Sequence, residues 1–387
     1  MKISLVVVIL SMLFLVSCKN NEIPSMNIVK EGDVGWNSKE ACTIEYCTGG
    51  DTLILKAAIK CRGGVSSKYF KHSYSLELDD KFSVAGLPRD DDWILNANYI
   101  DKTFMRHKIS YDLFREMSPN NAASQCAYVN LLLNGKPMGL YVLMQEINAG
   151  MLDLDRKDPM AMLFKDPPVF YADKITSVQD SLNYYQQKYP KIQQCDKTST
   201  IEEFKNFLFF SSDSAFAQNV SKWVDIDNVI DWHIVLLFSN NSDGIMKNFY
   251  LYKPDSHTPF RFAIWDYDHS YGRDGDNEPH HANQELNWQR CILLKRLYQI
   301  PATGYTQMLK DRWAYLRKHD IISVAHFKEL MDENDKAISQ AVINNFALWP
   351  VNEKWYFDAN TYQQETALML KFVEERIPML DAYIEKL

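Results

Sequence analysis

Residues 240–272 read NNSDGIMKNFYLYKPDSHTPFRFAIWDYDHSYG. Two strand-like runs, NFYLYKP and RFAIWDYD, flank a turn around Asp255-Ser256-His257-Thr258, the pattern of a β-hairpin. Asp243, Asn248, Asp266 and Asp268 all lie at the open end of that hairpin. The two strands are read as pairing with Asn248 facing Asp266, and directly opposed side chains of an antiparallel pair lie about 5 Å apart. Asp268 shares the face of Asp266 if the strand continues, because side chains alternate along a strand. Asp243 falls in the loop that ends a helix containing DWHIVLLFSN.

Like charges at such spacing repel, so the arrangement is costly without a cation and favourable with one. Mg²⁺ takes oxygen ligands in an octahedron, commonly one or two protein carboxylates with substrate phosphates. An amide beside a carboxylate supplies that set without excess negative charge and leaves room for a triphosphate. Asp243 then stands apart from the metal, able to orient or deprotonate a hydroxyl. The order Asp-x4-Asn, hairpin, Asp is that of a protein kinase catalytic loop and its metal-binding Asp, although the His-Arg and Phe-Gly that accompany those motifs are missing. Two other readings stand beside it. The acidic residues could be solvated turns or hold a structural Ca²⁺. Asp266-Tyr267-Asp268 is also a DxD string of the kind that holds a metal and a nucleotide sugar in glycosyltransferases; no βαβ pattern precedes it, which counts against that reading.

Upstream, DTLILKAAIKCRGG and SYSLELDD carry strand patterning on either side of Gly63-Gly64. WILNANYIDKTFMRHKISYDLFREM changes period: Phe104, Ile109, Leu113 and Met117 fit a helix, with Asp101 as its N-cap. CAYVNLLLNGKPMGLYVLMQEI reads as two strands joined by Asn134-Gly135, a hairpin signal. Residues 150 to about 200 are polar and irregular, the pattern of a surface insertion. Beyond 200 the chain is mostly helical, in IEEFKNFLFFSSDSAFAQNV, VDIDNVIDWHIVLLFSN, TGYTQMLKDRWAYLRKH and the final QETALMLKFVEERIPMLDAYIEKL. The fold class is therefore α+β, strands first and helices after.

The chain opens with MKISLVVVILSMLFLVSC, one Lys and then an apolar run, long enough for a signal peptide and short for a membrane span. Leu15-Val16-Ser17-Cys18 resembles a bacterial lipobox, which implies a signal peptide over 1–17 and a lipid on Cys18. The polar stretch 18–40 reads as a tether. No second apolar run of spanning length follows, so the mature chain is anchored to a membrane rather than crossing it. The composition, 46% hydrophobic and 13% aromatic, is ample for a core, and a net charge of -8 with no basic stripe argues against nucleic acid as a partner. Cys42, Cys47, Cys61, Cys126, Cys195 and Cys291 match no disulfide framework or zinc spacing. Buried thiols are the expectation, with a Cys42–Cys61 or Cys47–Cys61 bridge permitted outside the cytoplasm.

Several segments together resemble the CotH kinase family, an atypical protein-kinase-like group named for spore coat protein H. They are RGGVSSKYFKHSYSLEL (62–78), LNANYIDKTFMRHKISYDLFREM (95–117), VNLLLNGKPMGLYVLMQEI (129–147), NNSDGIMKNFYLY, FAIWDYDHSYG and LKFVEERIPMLDAY. Asn-Gly-x-x-x-Gly-x-Tyr, Asn134 to Tyr141, and Trp-Asp-x-Asp, 265 to 268, are the most specific parts. The resemblance implies a bilobal kinase-like fold, a β-rich N-lobe over 41–149 and a helical C-lobe over 150–387, with ATP between them. It implies Asp243 as catalytic base and Asn248 and Asp266 as ligands of Mg²⁺ or Mn²⁺, with Asp268 beside them. It also implies a cation after the Gly turn for the ATP phosphates. The family usually has Lys-Lys there; this chain has Lys71-His72, and His is shorter and mostly neutral at neutral pH. Arg62 either braces the Gly turn or meets phosphate. Arg106 either pairs with an active-site carboxylate or lies on the helix surface. Glu146 ends the strand where a kinase chain passes the adenine, so its backbone neighbours are candidates to bind the purine. The implied function is a lipid-anchored envelope kinase that transfers the ATP γ-phosphoryl group to a hydroxyl of a protein substrate. The alternative is an inactive kinase-like binding module displayed on the membrane, favoured by the Lys71-His72 departure and by the supply of ATP outside the cytoplasm.

Overall fold

The computed structural model describes residues 23–172, 183–273, 282–350 and 360–387. Cys18 and the leader before it lie outside the described residues, as does 173–182 of the insertion.

Strands β1 (Ser25–Val29), β2 (Glu40–Thr48), β3 (Asp51–Arg62), β4 (Ser73–Phe82) and β5 (Asp90–Asn96) come first. Helix α1 (Arg106–Met117) follows, then β6 (Ala122–Ala123), β7 (Cys126–Leu133) and β8 (Lys136–Gln145). Seven of these strands close a barrel in the order β1-β2-β3-β4-β5-β8-β7. After them come β9 (Met162–Lys165), β10 (Gln187–Tyr189), α2 (Thr198–Phe210), α3 (Asp213–Trp223), α4 (Ile226–Ser239), β11 (Phe249–Lys253) and β12 (Arg261–Ile264). A second sheet runs β10-β9-β11-β12-β6. Helices α5 (Ile292–Gln299), α6 (Tyr305–Lys318), α7 (Val324–Leu348) and α8 (Tyr362–Glu385) complete the chain. The architecture is α+β. Its two parallel pairings, β1–β7 and β6–β12, join strands far apart in sequence, so among the described residues neither is a βαβ unit.

The alternation of side chains explains how the barrel is seated. Trp93 and Leu95 of β5, Val129 and Leu131 of β7 and Tyr141 and Leu143 of β8 fill the barrel. Their neighbours Ile94, Tyr128, Leu140, Val142 and Met144 point outward into the main core. Three strands are thus buried on both faces, and α1 joins that main core through Ile109, Tyr111, Leu113 and Phe114. Packing therefore crosses the expected boundary between 149 and 150.

Several local expectations change. Residues 25–29 lie within the expected tether, yet they form β1, because alternating Met26 and Ile28 are fully buried against β2 and β7. WILN belongs to β5, and the helix begins only at Arg106. Asp101 is not its N-cap, but its carboxylate still accepts the Arg106 N–H at 3.2 Å. Asn134 and Gly135 both take positive φ, 50° and 77°, as a two-residue hairpin turn with the sheet's own twist requires. IEEFKNFLFFSSDSAFAQNV splits at Ser211-Ser212, where the Ser212 hydroxyl caps α3 by accepting the Ala215 N–H. Cys42, Cys61, Cys126 and Cys291 are buried thiols; Cys195 is exposed, and Cys61 bridges to neither Cys42 nor Cys47.

Candidate active site

β11 and β12 pair antiparallel with Phe249 opposite Ile264 and Tyr252 opposite Arg261. Asn248 therefore falls opposite Trp265 rather than Asp266, which is where symmetry about the Asp255–Thr258 turn puts it. The Asp255 carboxylate sets the turn by accepting the N–H groups of His257 at 2.8 Å and Thr258 at 2.7 Å, which centres it between Ser256 and His257. Asn248 and Asp266 each leave the strand in the left-handed region, with φ of 63° and 58°. Asn is among the residues that tolerate this conformation. The pleat thus ends at Ile264, and strand alternation does not place Asp268.

A backbone reversal places it instead. The Asp266 carbonyl accepts from the Asn248 and Asn241 amides, each at 3.4 Å, and the Asp266 N–H donates to the Tyr111 hydroxyl at 2.9 Å. The Ser270 hydroxyl then donates back to the Tyr267 carbonyl at 2.6 Å, closing the turn. The result brings His107, Asp266 and Asp268 together, with one ligand atom of each within 4.8 Å of the others. His107 comes from the first turn of α1, and its Nε2 lies 3.1 Å from Asp266 Oδ1. Desolvation in the cleft opposes ionisation of Asp266, but the His107 hydrogen bond and the charges of His107, His269 and Lys165 overcome it and hold its carboxyl below the usual range. Asp268 moves the opposite way, pushed up by burial and by the Asp266 charge.

Asp243 opens a single 3₁₀ turn after α4, and its carboxylate takes the Lys247 ammonium at 3.0 Å. His269 lies between the two acidic groups, Nδ1 3.6 Å from Asp243 and Nε2 3.6 Å from Asp268. The nearby His269 imidazole and the Lys247 ammonium hold Asp243 below the usual carboxylate range, although burial opposes this. Burial likewise opposes a charged His269, yet the adjacent carboxylates of Asp243, Asp268 and Asp266 push it up to about 9.

Of the expected phosphate cations, Lys71 lines the same cavity as the acidic residues, but its hydrogen bonds run into the fold. Lys71 is buried, and its Nζ donates to the Ala97 carbonyl at 2.9 Å, to the Leu140 carbonyl and to Asn345 Oδ1 at 2.9 Å. Three acceptors match the three N–H bonds of an ammonium, so none is left for a ligand. Gly139 makes this possible: at φ of 89°, a Cβ there would stand 2.5 Å from Asn345 Oδ1. The second Gly of the Asn-Gly-x-x-x-Gly element thus admits α7 against β8. The adjacent His72 turns away to an edge-on contact with Trp36, and the Tyr141 hydroxyl donates to its carbonyl. Arg62 places its guanidinium 5.6 Å from the centre of the Trp265 ring, where Lys165 also approaches at 6.0 Å. Glu146 directly follows β8, and its N–H is committed to the Asp92 carbonyl, as that of Gln145 is to Gln125.

Arg106 is neither a surface charge nor a cleft residue. It is buried, with Nη1 2.7 Å from Asp101, Nη2 3.2 Å from Glu365 and Nε donating to the Ser270 carbonyl at 3.0 Å. It therefore pins α1, the turn after Asp268 and α8 to one another. Removing one partner of a buried ion pair leaves the other charge uncompensated, at a cost of about 3–5 kcal/mol. Arg106→Met should lower unfolding stability in urea by that amount; a loss below about 1 kcal/mol would contradict the bracing role.

Asp243, Asn248, Asp266 and Asp268 share one cavity of about 600 Å³ with Ser66, Tyr69, Asn96, Asn98, Lys247 and His269. Gly64 and the start of the 3₁₀ turn Val65–Lys68 also line it, through Val65 and Ser66. Sequence reasoning missed His107, Lys247 and His269. Lys247 carried a signal in its i,i+4 spacing from Asp243 and His269 in its place beside Asp268; His107 carried none.

The family described as CotH kinase protein matches residues 59–380. The inner spore coat protein H of Bacillus subtilis strain 168 is 30% identical over 229 residues, which is 57% of this chain and 60% of that relative's length. Among solved structures, the Helicobacter pylori proinflammatory kinase CtkA is aligned over 84% of this chain and 99% of that one, at 8% identity and a TM-score of 0.26. The family match runs from β3 into α8 and takes in the whole acidic cluster, and the chain belongs to the CotH kinase protein family.

Proposed function

We propose that this chain is a kinase-like phosphotransferase of the bacterial envelope, held there by lipid on Cys18, that moves the ATP γ-phosphoryl group to a hydroxyl of a protein. The barrel and the helical part are read as the two lobes of a kinase-like fold with ATP between them. One observation carries the reading: Asp243 opens into the same cavity as Asn248, Asp266 and Asp268. Family membership supports it.

The donor set fits a small divalent cation, because the ligating atoms of Asp266 and Asp268 already lie within 4.8 Å of each other and 46% of the Asp266 side chain is open to the cleft. Asp266 and Asp268, with the Asn248 amide, would hold Mg²⁺ or Mn²⁺. The bound ion would supply charge neutralisation at the phosphates. Asp243 accepts the hydrogen bond of the incoming hydroxyl, orients its oxygen and takes its proton. The new bond joins that oxygen to the γ-phosphorus; the bond to the β–γ bridging oxygen breaks, and ADP leaves with the electron pair.

Lys247 takes the phosphate role expected of Lys71. Its side chain is 53% exposed, it lines the cavity, and its ammonium already sits at Asp243. A charge-assisted hydrogen bond contributes about 1.5–3 kcal/mol, so Lys247→Ala should lower kcat/KM for ATP roughly tenfold to a hundredfold. Lys71→Met should instead act mainly on stability. Loss of nucleotide use in Lys71→Met at unchanged stability, with Lys247→Ala unaffected, would reverse the assignment.

The commitment of Lys71 to the fold also favours the second reading, a nucleotide-binding module without transfer. Incubating the purified chain with γ-labelled ATP and Mg²⁺ or Mn²⁺ separates the two. Label on the chain or on an added protein supports transfer, whereas nucleotide affinity without label supports the module.

A further inference from the structure

We infer that His107 is a direct ligand of the divalent cation, through Nε2, so that the site favours a first-row transition ion such as Mn²⁺ over Mg²⁺. The inference rests on the proposed metal site and adds a nitrogen donor to it. His107 Nε2 and one oxygen each of Asp266 and Asp268 lie within 4.8 Å of one another, and two donors to one ion at bond lengths of about 2.0–2.2 Å stand at most about 4.4 Å apart, so a side-chain shift of a few tenths of an ångström closes the set.

The imidazole is placed, not merely near. Arg106, the preceding residue, is locked by Asp101 and Glu365, which fixes the first turn of α1. The His107 ring is buried and stands edge-on to Tyr111, whose hydroxyl holds the Asp266 N–H. Its Nε2 is therefore aimed at the Asp266 carboxylate from a helix that cannot turn. Its Nδ1 is buried without a hydrogen-bond partner, so no second protein acceptor fixes the ring in an ion pair alone. The metal would occupy the gap that the Nε2–Asp266 contact now closes. Imidazole nitrogen is a ligand for first-row transition ions, with Mn²⁺ the weakest binder among them, while Mg²⁺ demands oxygen and keeps its waters.

Pulsed electron paramagnetic resonance of Mn²⁺ added to the purified full chain reads this directly. Modulation from a directly coordinated nitrogen is expected on the bound ion, and it should change when the protein carries ¹⁵N-histidine. His107→Gln should abolish the nitrogen coupling and weaken Mn²⁺ binding by about tenfold or more, with little change for Mg²⁺. His269→Gln, which alters the other nearby imidazole, should retain the coupling. Bound Mn²⁺ without nitrogen coupling, or coupling lost in His269→Gln and kept in His107→Gln, overturns the inference and leaves the proposed function standing. Mn²⁺ and Mg²⁺ that fail to bind in the presence or absence of ATP would overturn both.

Discussion

Asp243→Asn is expected to cut phosphoryl transfer from ATP by about 10²–10⁴-fold, the usual contribution of a positioned base. Affinity for the metal–nucleotide complex should stay within a few fold. The expectation follows from where Asp243 sits. It shares the cavity with the acidic cluster, but it stands outside the group of atoms close enough to hold one ion. His269 and Lys247 keep its carboxylate ionised, and an ionised acid is what can accept a proton from a hydroxyl. Asn keeps the size and loses the basic oxygen pair. Label transfer and calorimetric binding, measured on the same preparation, separate base from ligand. Unchanged transfer would remove Asp243 from the chemistry, and a parallel collapse of binding would make it a ligand.

Asp266→Ala is expected to abolish the metal-dependent part of nucleotide binding. Asp266 is the junction of the site: its carboxylate meets His107, its carbonyl meets Asn241 and Asn248, and its N–H meets Tyr111. Alanine leaves the backbone bonds in place and removes the anionic oxygens. Calorimetry with ATP and Mg²⁺ or Mn²⁺ should show affinity falling to the level found with chelator present, while circular dichroism reports an intact fold. Equal affinity in the two proteins would exclude Asp266 as a ligand.

The hairpin of 249–264, the Asn134-Gly135 turn and helices α2, α3, α4, α6 and α8 were legible because each depends on local rules, turn chemistry and periodicity, whereas α5 and α7 fall in no segment read as a helix. The cluster of Asp243, Asn248, Asp266 and Asp268 was legible as a gathering, but not in its geometry. The expected opposition of Asn248 and Asp266 fails by one residue. The positive φ of both residues, invisible in a strand pattern, ends the pleat and turns Asp268 back by another route. Partners that arrive from distant parts of the chain were not legible. Lys71 is spent on Asn345, 274 residues away, and Arg106 on Glu365, 259 residues away. Strand β1 was lost because two apolar residues in a polar stretch give too short an alternation to stand out, although both are fully buried.

The most direct measurement is a crystal of the chain grown with Mn²⁺ and a non-hydrolysable ATP analogue, with anomalous scattering used to find the metal. The account predicts a manganese peak within bonding distance of Asp266 and Asp268 and of the analogue's phosphates, with the γ-phosphate between Asp243 and Lys247. A nucleotide seated elsewhere, or a peak away from these two carboxylates, would contradict it.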